Sequence, residues 1–346
     1  MEEYEVIIIG AGPAGSACAR ALTDENMQVL VIEKEKLPRH KTCSGVLFGQ
    51  SQDLLRKYFG LLPPDSACCS PKIIKASDIV EWSREKGFIP FIWELPKDGI
   101  TFPTDYLNIW RNKFDHWLLQ QSGAEYIDNC SIQGFSIQGD KVTVETSGKK
   151  FKCSYLIGAD GGNSKVRRLL DPSWTQMSAE STAYQVYCYF SDSGSLKEGN
   201  WYVFFEPKIS DTLCCVHHKD NMLALCIGGV KGRNMKESME AFKDFLAKNF
   251  NVSLEREERV EGCVIRHSGV DLGKGRVILT GEASGFMYLN GEGIAAAIDS
   301  GYRAGNALAK ALKMDGNALN IYTEDSADLL EHLNLCMKNM RFFAAH

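Results

Sequence analysis

Tyr4-Glu5-Val6-Ile7-Ile8-Ile9-Gly10-Ala11-Gly12-Pro13-Ala14-Gly15 decides the fold of this chain, and an acidic residue, Glu33, closes the next apolar run. Val6 to Ile9 is unbroken apolar sequence, as expected of a parallel strand buried on both faces. Gly10 allows a tight turn, Gly12 lets the backbone approach a pyrophosphate, and Gly15 lets the following helix lie close on the sheet. That helix, predicted over about Pro13 to Thr23, aims its N-terminal N–H groups and positive dipole end at the phosphates. Gln28 to Ile32 reads as the second strand, and Glu33 stands where a carboxylate accepts both ribose hydroxyls of an adenosine. The whole unit reads as a dinucleotide-binding entry.

The chain has 346 residues, 44% hydrophobic and 24% charged, enough for one large core or two smaller ones. A formal net charge of −5 argues against nucleic acid as a partner. The start, Met1-Glu2-Glu3-Tyr4, runs straight into a core strand and does not read as a signal peptide. No stretch approaches the roughly 20 apolar residues of a membrane span. The 12 cysteines are scattered without a CxxC pair, and we read most as buried, reduced residues of a cytoplasmic protein. In the densest cluster, Cys214-Cys215-Val216-His217-His218, strand alternation sends neighbours to opposite faces, so no shared metal is expected.

Past Glu33 comes a polar, basic loop, Lys34 to Gly45, then a helix predicted over Gln50 to Phe59. Ile73 to Trp82 and Phe88 to Trp93 read as strands. Pro103-Thr104-Asp105 reads as the start of a helix through Gln121, with Trp110, Phe114, Trp117 and Leu118 at core spacing. Thr182 to Gly229 alternates strand-like runs, an antiparallel sheet distinct from the nucleotide domain. In Trp201-Tyr202-Val203-Phe204-Phe205 only one face can line an apolar pocket. The tail from Asn317 to His346 reads as helical, and its Met337 to Phe343 end as core packing or lipid contact at a membrane surface.

Two later segments have the same strand, glycine loop, helix order. One is Leu156-Ile157-Gly158-Ala159-Asp160-Gly161-Gly162-Asn163-Ser164-Lys165-Val166-Arg167-Arg168. The other is Val277-Ile278-Leu279-Thr280-Gly281-Glu282-Ala283-Ser284-Gly285-Phe286, followed by Gly291-Glu292-Gly293-Ile294. An acidic side chain there can accept a ribityl hydroxyl, and N–H groups opening the next helix can face a flavin pyrimidine oxygen.

With these three motifs in order, residues 4 to 312 resemble the FAD-dependent oxidoreductases of the p-hydroxybenzoate hydroxylase fold. The resemblance implies an α/β fold with FAD as cofactor. A Rossmann-like FAD-binding domain, discontinuous over 1–75, 100–180 and 268–346, would hold an inserted antiparallel β-sheet substrate domain over 76–99 and 181–267. Lys41-Thr42-Cys43-Ser44-Gly45, Arg111-Asn112-Lys113-Phe114-Asp115 and Gly291-Glu292-Gly293-Ile294 look most like the geranylgeranyl reductase family, in a short bacterial-type branch. Members of that family reduce isolated double bonds of isoprenoid chains, with FAD carrying hydride. The resemblance implies cofactor contacts at Gly10, Gly12, Ala14, Gly15, Glu33, Lys34, Lys41, Cys43, Ser44, Gly45, Arg111, Asp160, Gly281, Glu282, Gly293 and Ile294.

Three departures accompany it. Glu282 stands where most of the fold has Asp, and the Gly285 to Gly291 segment lacks the usual proline. The aromatic substrate motif Tyr-x-Trp-x-Phe-Pro is replaced by Leu213-Cys214-Cys215-Val216-His217-His218. Cys43, His217 and His218 are candidate proton donors, with one of the two histidines expected to face solvent. The reading is hydride delivery from reduced flavin to a carbon–carbon double bond of a small, apolar, isoprenoid- or quinone-like substrate. The alternatives are an FAD-dependent aromatic monooxygenase, a flavin halogenase and a non-enzymatic flavin carrier. The halogenase signature is echoed only by Phe91-Ile92-Trp93-Glu94-Leu95-Pro96, at an unsuitable place. No second glycine fingerprint serves a nicotinamide nucleotide, so NAD(P)H is expected at most as a transient reductant and the electron donor stays open.

Overall fold

The structure is a computed structural model that describes residues 1–91, 105–287, 292–331 and 333. Three sheets organise it. The first holds β1 (Glu2–Ile9), β2 (Val29–Ile32), β8 (Glu125–Ile127), β9 (Ile132–Gln138), β10 (Lys141–Thr146), β11 (Lys150–Gly158), β17 (Gly273–Lys274) and β18 (Val277–Leu279). Its centre is parallel: β18, β11, β1, β2 and β8 lie side by side in that order. Val6 to Ile9 is flanked on both sides, by Val29 to Ile32 and by Tyr155 to Gly158, and covered on both faces, so every position of the apolar run is buried.

Helix α1 (Pro13–Thr23) follows the first glycine turn, and α7 (Ile294–Met314) crosses it. The crossing is close because a Cβ built on Gly301 would stand 2.2 Å from the Ala14 carbonyl oxygen. The same economy operates within the turn, where a Cβ on Gly15 would stand 1.9 Å from the Gly10 carbonyl oxygen. Around this core lie α2 (Gly49–Phe59), α3 (Arg111–Gln121), α4 (Lys165–Leu170), α5 (Trp174–Met177) and α8 (Ala318–Asp325).

The second sheet runs in the order β16 (Ser253–His267), β12 (Ala179–Asp192), β15 (Met222–Val230), β14 (Cys214–Lys219), β13 (Trp201–Phe204), β5 (Ile79–Ser83) and β6 (Gly87–Pro90). All its pairings are antiparallel except that of β13 with β5. Strand alternation sorts its side chains cleanly. Tyr202, Phe204, Cys214, Val216, Leu223 and Leu225 meet α6 (Met235–Phe250) through Met239, Phe242, Leu246 and Phe250. Trp201, Val203 and Cys215 point the other way, onto Val46, Phe48 and Tyr106. Of the aromatic run, only Trp201 is therefore buried on the face that meets Val46, Phe48 and Tyr106, and Phe205 is exposed.

A small third sheet, β3 (Val46–Leu47), β7 (Tyr106–Ile109) and β4 (Cys68–Ile74), joins the two larger ones. It corrects two sequence expectations. The predicted strand over 73–82 is broken by a 3₁₀ turn at Ala76–Asp78, because its halves belong to different sheets. The helix predicted from 103 begins only at Arg111, because Tyr106, Leu107, Asn108 and Ile109 are all buried as the central strand of this sheet. Phe114 and Leu118 are core residues, as their spacing implied. The expected features at 92–96, Pro103-Thr104, Gly291 and Met337 to Phe343 lie outside the described residues.

No helix among the described residues is long and apolar enough to cross a membrane, and no group of three or more His, Cys, Asp or Glu among them could hold a metal ion.

Candidate functional site

The three glycine loops meet. A Cβ on Gly10 (φ +109°) would strike the Ala159 carbonyl oxygen at 2.4 Å, so the first loop rests on the second. A Cβ on Gly281 would lie 2.7 Å from the Ala14 Cβ, so the third loop rests on the start of α1. A Cβ on Gly162 would fall 2.4 Å from Glu282 Oε1, so the second and third loops also touch. Lys41 Nζ stands 3.6 Å from Glu282 Oε2, and that carboxylate holds the ammonium's pKa above its ordinary value. The space over Gly12 is open: among the described residues, the only atom within 4 Å of a Cβ there would be Arg39 Nη2, at 3.6 Å. Among the described residues, no atom lies within 4 Å of a Cβ on Gly293, at the start of α7.

Each loop is anchored from behind. Asp160 accepts from Ser164 Oγ at 2.5 Å, Lys165 N–H at 2.6 Å and Val166 N–H at 3.2 Å, so its carboxylate serves the start of α4. Burial nonetheless pushes its pKa up. Buried Arg167 donates to the Ala283 carbonyl at 3.2 Å and the Gly269 carbonyl at 3.0 Å, holding the third loop. Ser300 Oγ accepts the Gly281 N–H at 3.0 Å, fastening that loop to α7. Glu292 caps the same helix, accepting the Ala295 N–H at 2.9 Å beside buried Ile294.

Glu33, at the end of β2, is buried and engaged. Its Oε2 accepts the Ala11 N–H at 3.0 Å and pairs with Arg39 Nε at 3.1 Å, and its Oε1 accepts the Glu35 N–H at 3.2 Å. Lys34, next to it, is exposed. Arg39 continues to Asp115 Oδ2 at 2.9 Å, and Asp115 is gripped in turn by Arg111 through two bonds of 2.9 and 3.0 Å. The result is a buried ladder of alternating charge, Glu33–Arg39–Asp115–Arg111, whose last guanidinium lies beside Cys43. Burial pushes the Asp115 pKa up, but the two guanidiniums outweigh it and hold the carboxyl below its ordinary range.

The Cys43-Ser44-Gly45 turn lies between this ladder and the second sheet. Gln185 Nε2 donates to the Cys43 carbonyl at 3.1 Å. Gly45 has φ +69°, and a Cβ there would stand 2.3 Å from the Ile109 carbonyl oxygen, so glycine is required twice over. Lys219 reaches in from the end of β14, fully buried. Its Nζ donates to the Ser44 carbonyl at 3.0 Å, the Ile109 carbonyl at 2.7 Å and Asn108 Oδ1 at 2.8 Å.

The histidines are placed differently from expectation. Both are buried, and neither faces solvent. His218 packs against Phe190 on the far side of the sheet. His217 points toward the Ser44 backbone at 1% exposure. Burial, then the neighbouring Lys219 and His218, push its pKa far down, so the ring is neutral and sealed away. Of the candidate proton donors, Cys43 alone is partly exposed. The open wall of the second sheet beyond it carries Ala183, Cys226 and Cys263, all half-buried.

Sequence reasoning missed the roles of Arg39, Asp115, Arg167, Gln185 and Lys219. Asp115 lay inside a quoted motif, but its partners are distant in the chain. Lys219 carried no signal at all, since Lys219-Asp220-Asn221 reads as a solvated hairpin turn.

Three meeting glycine loops, open space over Gly12 and an acid at the end of β2 define a dinucleotide-binding flavoprotein of the oxidoreductase class. Residues 118–333 match the FAD binding domain family and residues 4–169 the pyridine nucleotide-disulphide oxidoreductase family. The chain belongs to the FAD binding domain family, among the FAD-dependent oxidoreductases. An uncharacterized protein of Methanosarcina barkeri (strain Fusaro / DSM 804) is 27% identical over 320 residues, covering 90% of this chain and 76% of the relative. Among solved structures, a geranylgeranyl bacteriochlorophyll reductase-like protein from Thermoplasma acidophilum superimposes with a TM-score of 0.78 at 18% identity, over 96% of this chain and 84% of that one. The flavin-dependent brominase Bmp2 gives 0.75 at 18% identity, over 99% and 87%. The p-nitrophenol 4-monooxygenase PnpA from Pseudomonas putida DLL-E4 gives 0.72 at 18%, over 96% and 86%. At these identities the likeness is one of fold.

Glu33→Ala is expected to leave gel filtration with a lower flavin-to-protein ratio than wild type. The substitution removes the carboxylate expected to accept the ribose hydroxyls, frees the Ala11 N–H and leaves Arg39 one carboxylate fewer. A ratio equal to wild type would refute the ribose role.

Proposed function

We propose that this protein is a flavin-dependent reductase, delivering hydride to a carbon–carbon double bond of an apolar, isoprenoid- or quinone-like substrate. When bound, FAD supplies a two-electron carrier whose reduced form donates hydride. The observation that supports the reading is the wall facing the Cys43 turn: half-buried Ala183, Cys226 and Cys263 lie there, with Trp201, Val203 and Cys215 packed beside Cys226. Such a surface favours an apolar ligand. Cys43 is the partly exposed group at this turn, and it stands next to a guanidinium that keeps its surroundings positive. Gly10, Gly12 and the start of α1 would hold the pyrophosphate, Glu33 the adenosine ribose, Glu282 the ribityl chain, and the start of α7 the pyrimidine edge. The resemblance to geranylgeranyl reductases in the Lys41 to Gly45 and Arg111 to Asp115 segments supports the same assignment. NAD(P)H would act as a visiting reductant, since the sequence carries no second dinucleotide fingerprint to retain it.

Anaerobic addition of a quinone or an isoprenoid alkene to the dithionite-reduced protein is expected to return the yellow colour and yield the reduced product. Under air, oxygen uptake matched one-for-one by a hydroxylated aromatic product would overturn the reductase assignment in favour of the monooxygenase.

A further inference from the structure

Lys219 is the least expected charge in the molecule. Its side chain is 1% exposed, and the structure gives its Nζ three oxygen partners, all neutral: the carbonyls of Ser44 and Ile109 and the side-chain oxygen of Asn108. Three acceptors satisfy the three N–H bonds of an ammonium. Among the described residues no carboxylate hydrogen-bonds to it. Asp220, the nearest in sequence, is occupied elsewhere, accepting the Ser70 N–H at 2.7 Å and Trp110 Nε1 at 2.8 Å. The Trp110 ring faces the ammonium at 5.0 Å from its centroid, and the remaining neighbours are the thiols of Cys69 and Cys43 and the neutral ring of His217.

An unpaired buried cation is costly, and an apolar side chain of similar volume would ordinarily be the cheaper choice there. Two features make a lysine useful at this position. It belongs to the second sheet, yet its hydrogen bonds end on the Cys43-Ser44-Gly45 turn and on the residue two before Arg111. It therefore ties the two segments assigned to the flavin to one strand of the opposite sheet. Among the described residues no carboxylate hydrogen-bonds to it, and only the more distant Asp220 and the neighbouring thiols offset its charge, so part of its field reaches the space that the turn borders.

We infer that Lys219 is a positioning residue for the Cys43-Ser44-Gly45 turn, and that its charge, held without a carboxylate hydrogen bond, favours the electron-rich, reduced state of the bound flavin. The inference requires only that flavin is bound, and holds for either reductase or monooxygenase chemistry.

The test is the two-electron midpoint potential of the bound flavin, measured against a redox dye in Lys219→Gln, Lys219→Met and Asn108→Ala. Both Lys219 variants are expected to shift the potential downward by at least a tenfold change in the reduced-to-oxidised equilibrium, about 30 mV for two electrons. Gln retains two of the donors, so its shift reports the charge. Asn108→Ala removes one acceptor but leaves the charge, and should keep the wild-type potential. Lys219→Gln at the wild-type potential would overturn the inference, as would Asn108→Ala matching the Lys219 variants. If neither Lys219 variant folds, Lys219→Ala refolded with n-propylammonium or n-propanol separates charge from packing. Flavin binding restored by the cation alone supports the inference, and restoration by the alcohol as well overturns it.

Discussion

Gly12→Ala should fold as an apoprotein with wild-type thermal stability and yet bind FAD about 100-fold more weakly, roughly 2.7 kcal/mol. Gly12 has φ −89° and ψ −176°, extended backbone that alanine adopts without strain. Among the described residues, the nearest atom to its Cβ would be Arg39 Nη2, at ordinary contact distance. The methyl group would instead enter the space over the start of α1, where the pyrophosphate must come against backbone N–H groups. Gly15→Ala is expected to behave in the opposite way. Its Cβ would lie 1.9 Å from the Gly10 carbonyl oxygen, an atom fixed in the turn between β1 and α1. Helix and strand must then separate, so the apoprotein itself should lose its cooperative melt or become insoluble. Calorimetry of the two apoproteins, with flavin titration of the soluble one, checks both claims. Equal flavin affinity in Gly12→Ala and wild type would mean that the pyrophosphate does not pass over this turn.

Asp115→Asn carries the second large effect. It leaves two guanidiniums, Arg39 and Arg111, buried beside a neutral amide, and breaking a buried pair in this way costs about 3–5 kcal/mol. The denaturant midpoint at neutral pH should fall accordingly, and flavin retention with it, because Arg39 also braces Glu33 and Arg111 also borders Cys43. The pH dependence identifies the cause. The Asp115 carboxyl titrates below its ordinary range in the folded protein. Its contribution is therefore complete above the unfolded pKa of about 3.9 and is lost as the pH falls through the lower, folded value. Wild type should lose stability along that acid limb, and Asp115→Asn should lose less, the two curves converging at low pH. Parallel curves would show that the ladder is not what the substitution removed.

The cofactor loops were legible in the sequence because their chemistry is local. A glycine at position 10, 12 or 15 answers to the turn, the phosphate and the helix that adjoin it, and each lies within a few residues. The antiparallel sheet was legible as an alternating pattern, and alternation limited the Trp201 to Phe205 run to one useful face. Trp201 proved to be the aromatic on that face. The histidines illustrate the limit. Their pattern said that His217 and His218 part to opposite faces, and they do, but not that both faces are covered, by α6 and its packing on one side and by the Ser44 turn on the other. The stretch after Pro103 read as helix because aromatic spacing extends backwards from Trp110, whereas Tyr106 to Ile109 is strand because β3 and β4 pair with it on either side.

What the sequence determined by itself was the presence of a dinucleotide cradle and its allocation to FAD, since backbone turns and helix starts are specified by neighbouring residues. What only the tertiary structure decided was the electrostatics around that cradle. Glu33 and Arg39 come from one segment and Arg111 and Asp115 from another more than seventy residues on, and Lys219 reaches Ser44 and Ile109 across more than a hundred residues of chain. Charges in water interact weakly and leave little trace in a local pattern. Once sheet register carries them out of water, the same charges govern one another, and that register is set by pairing between strands far apart in sequence.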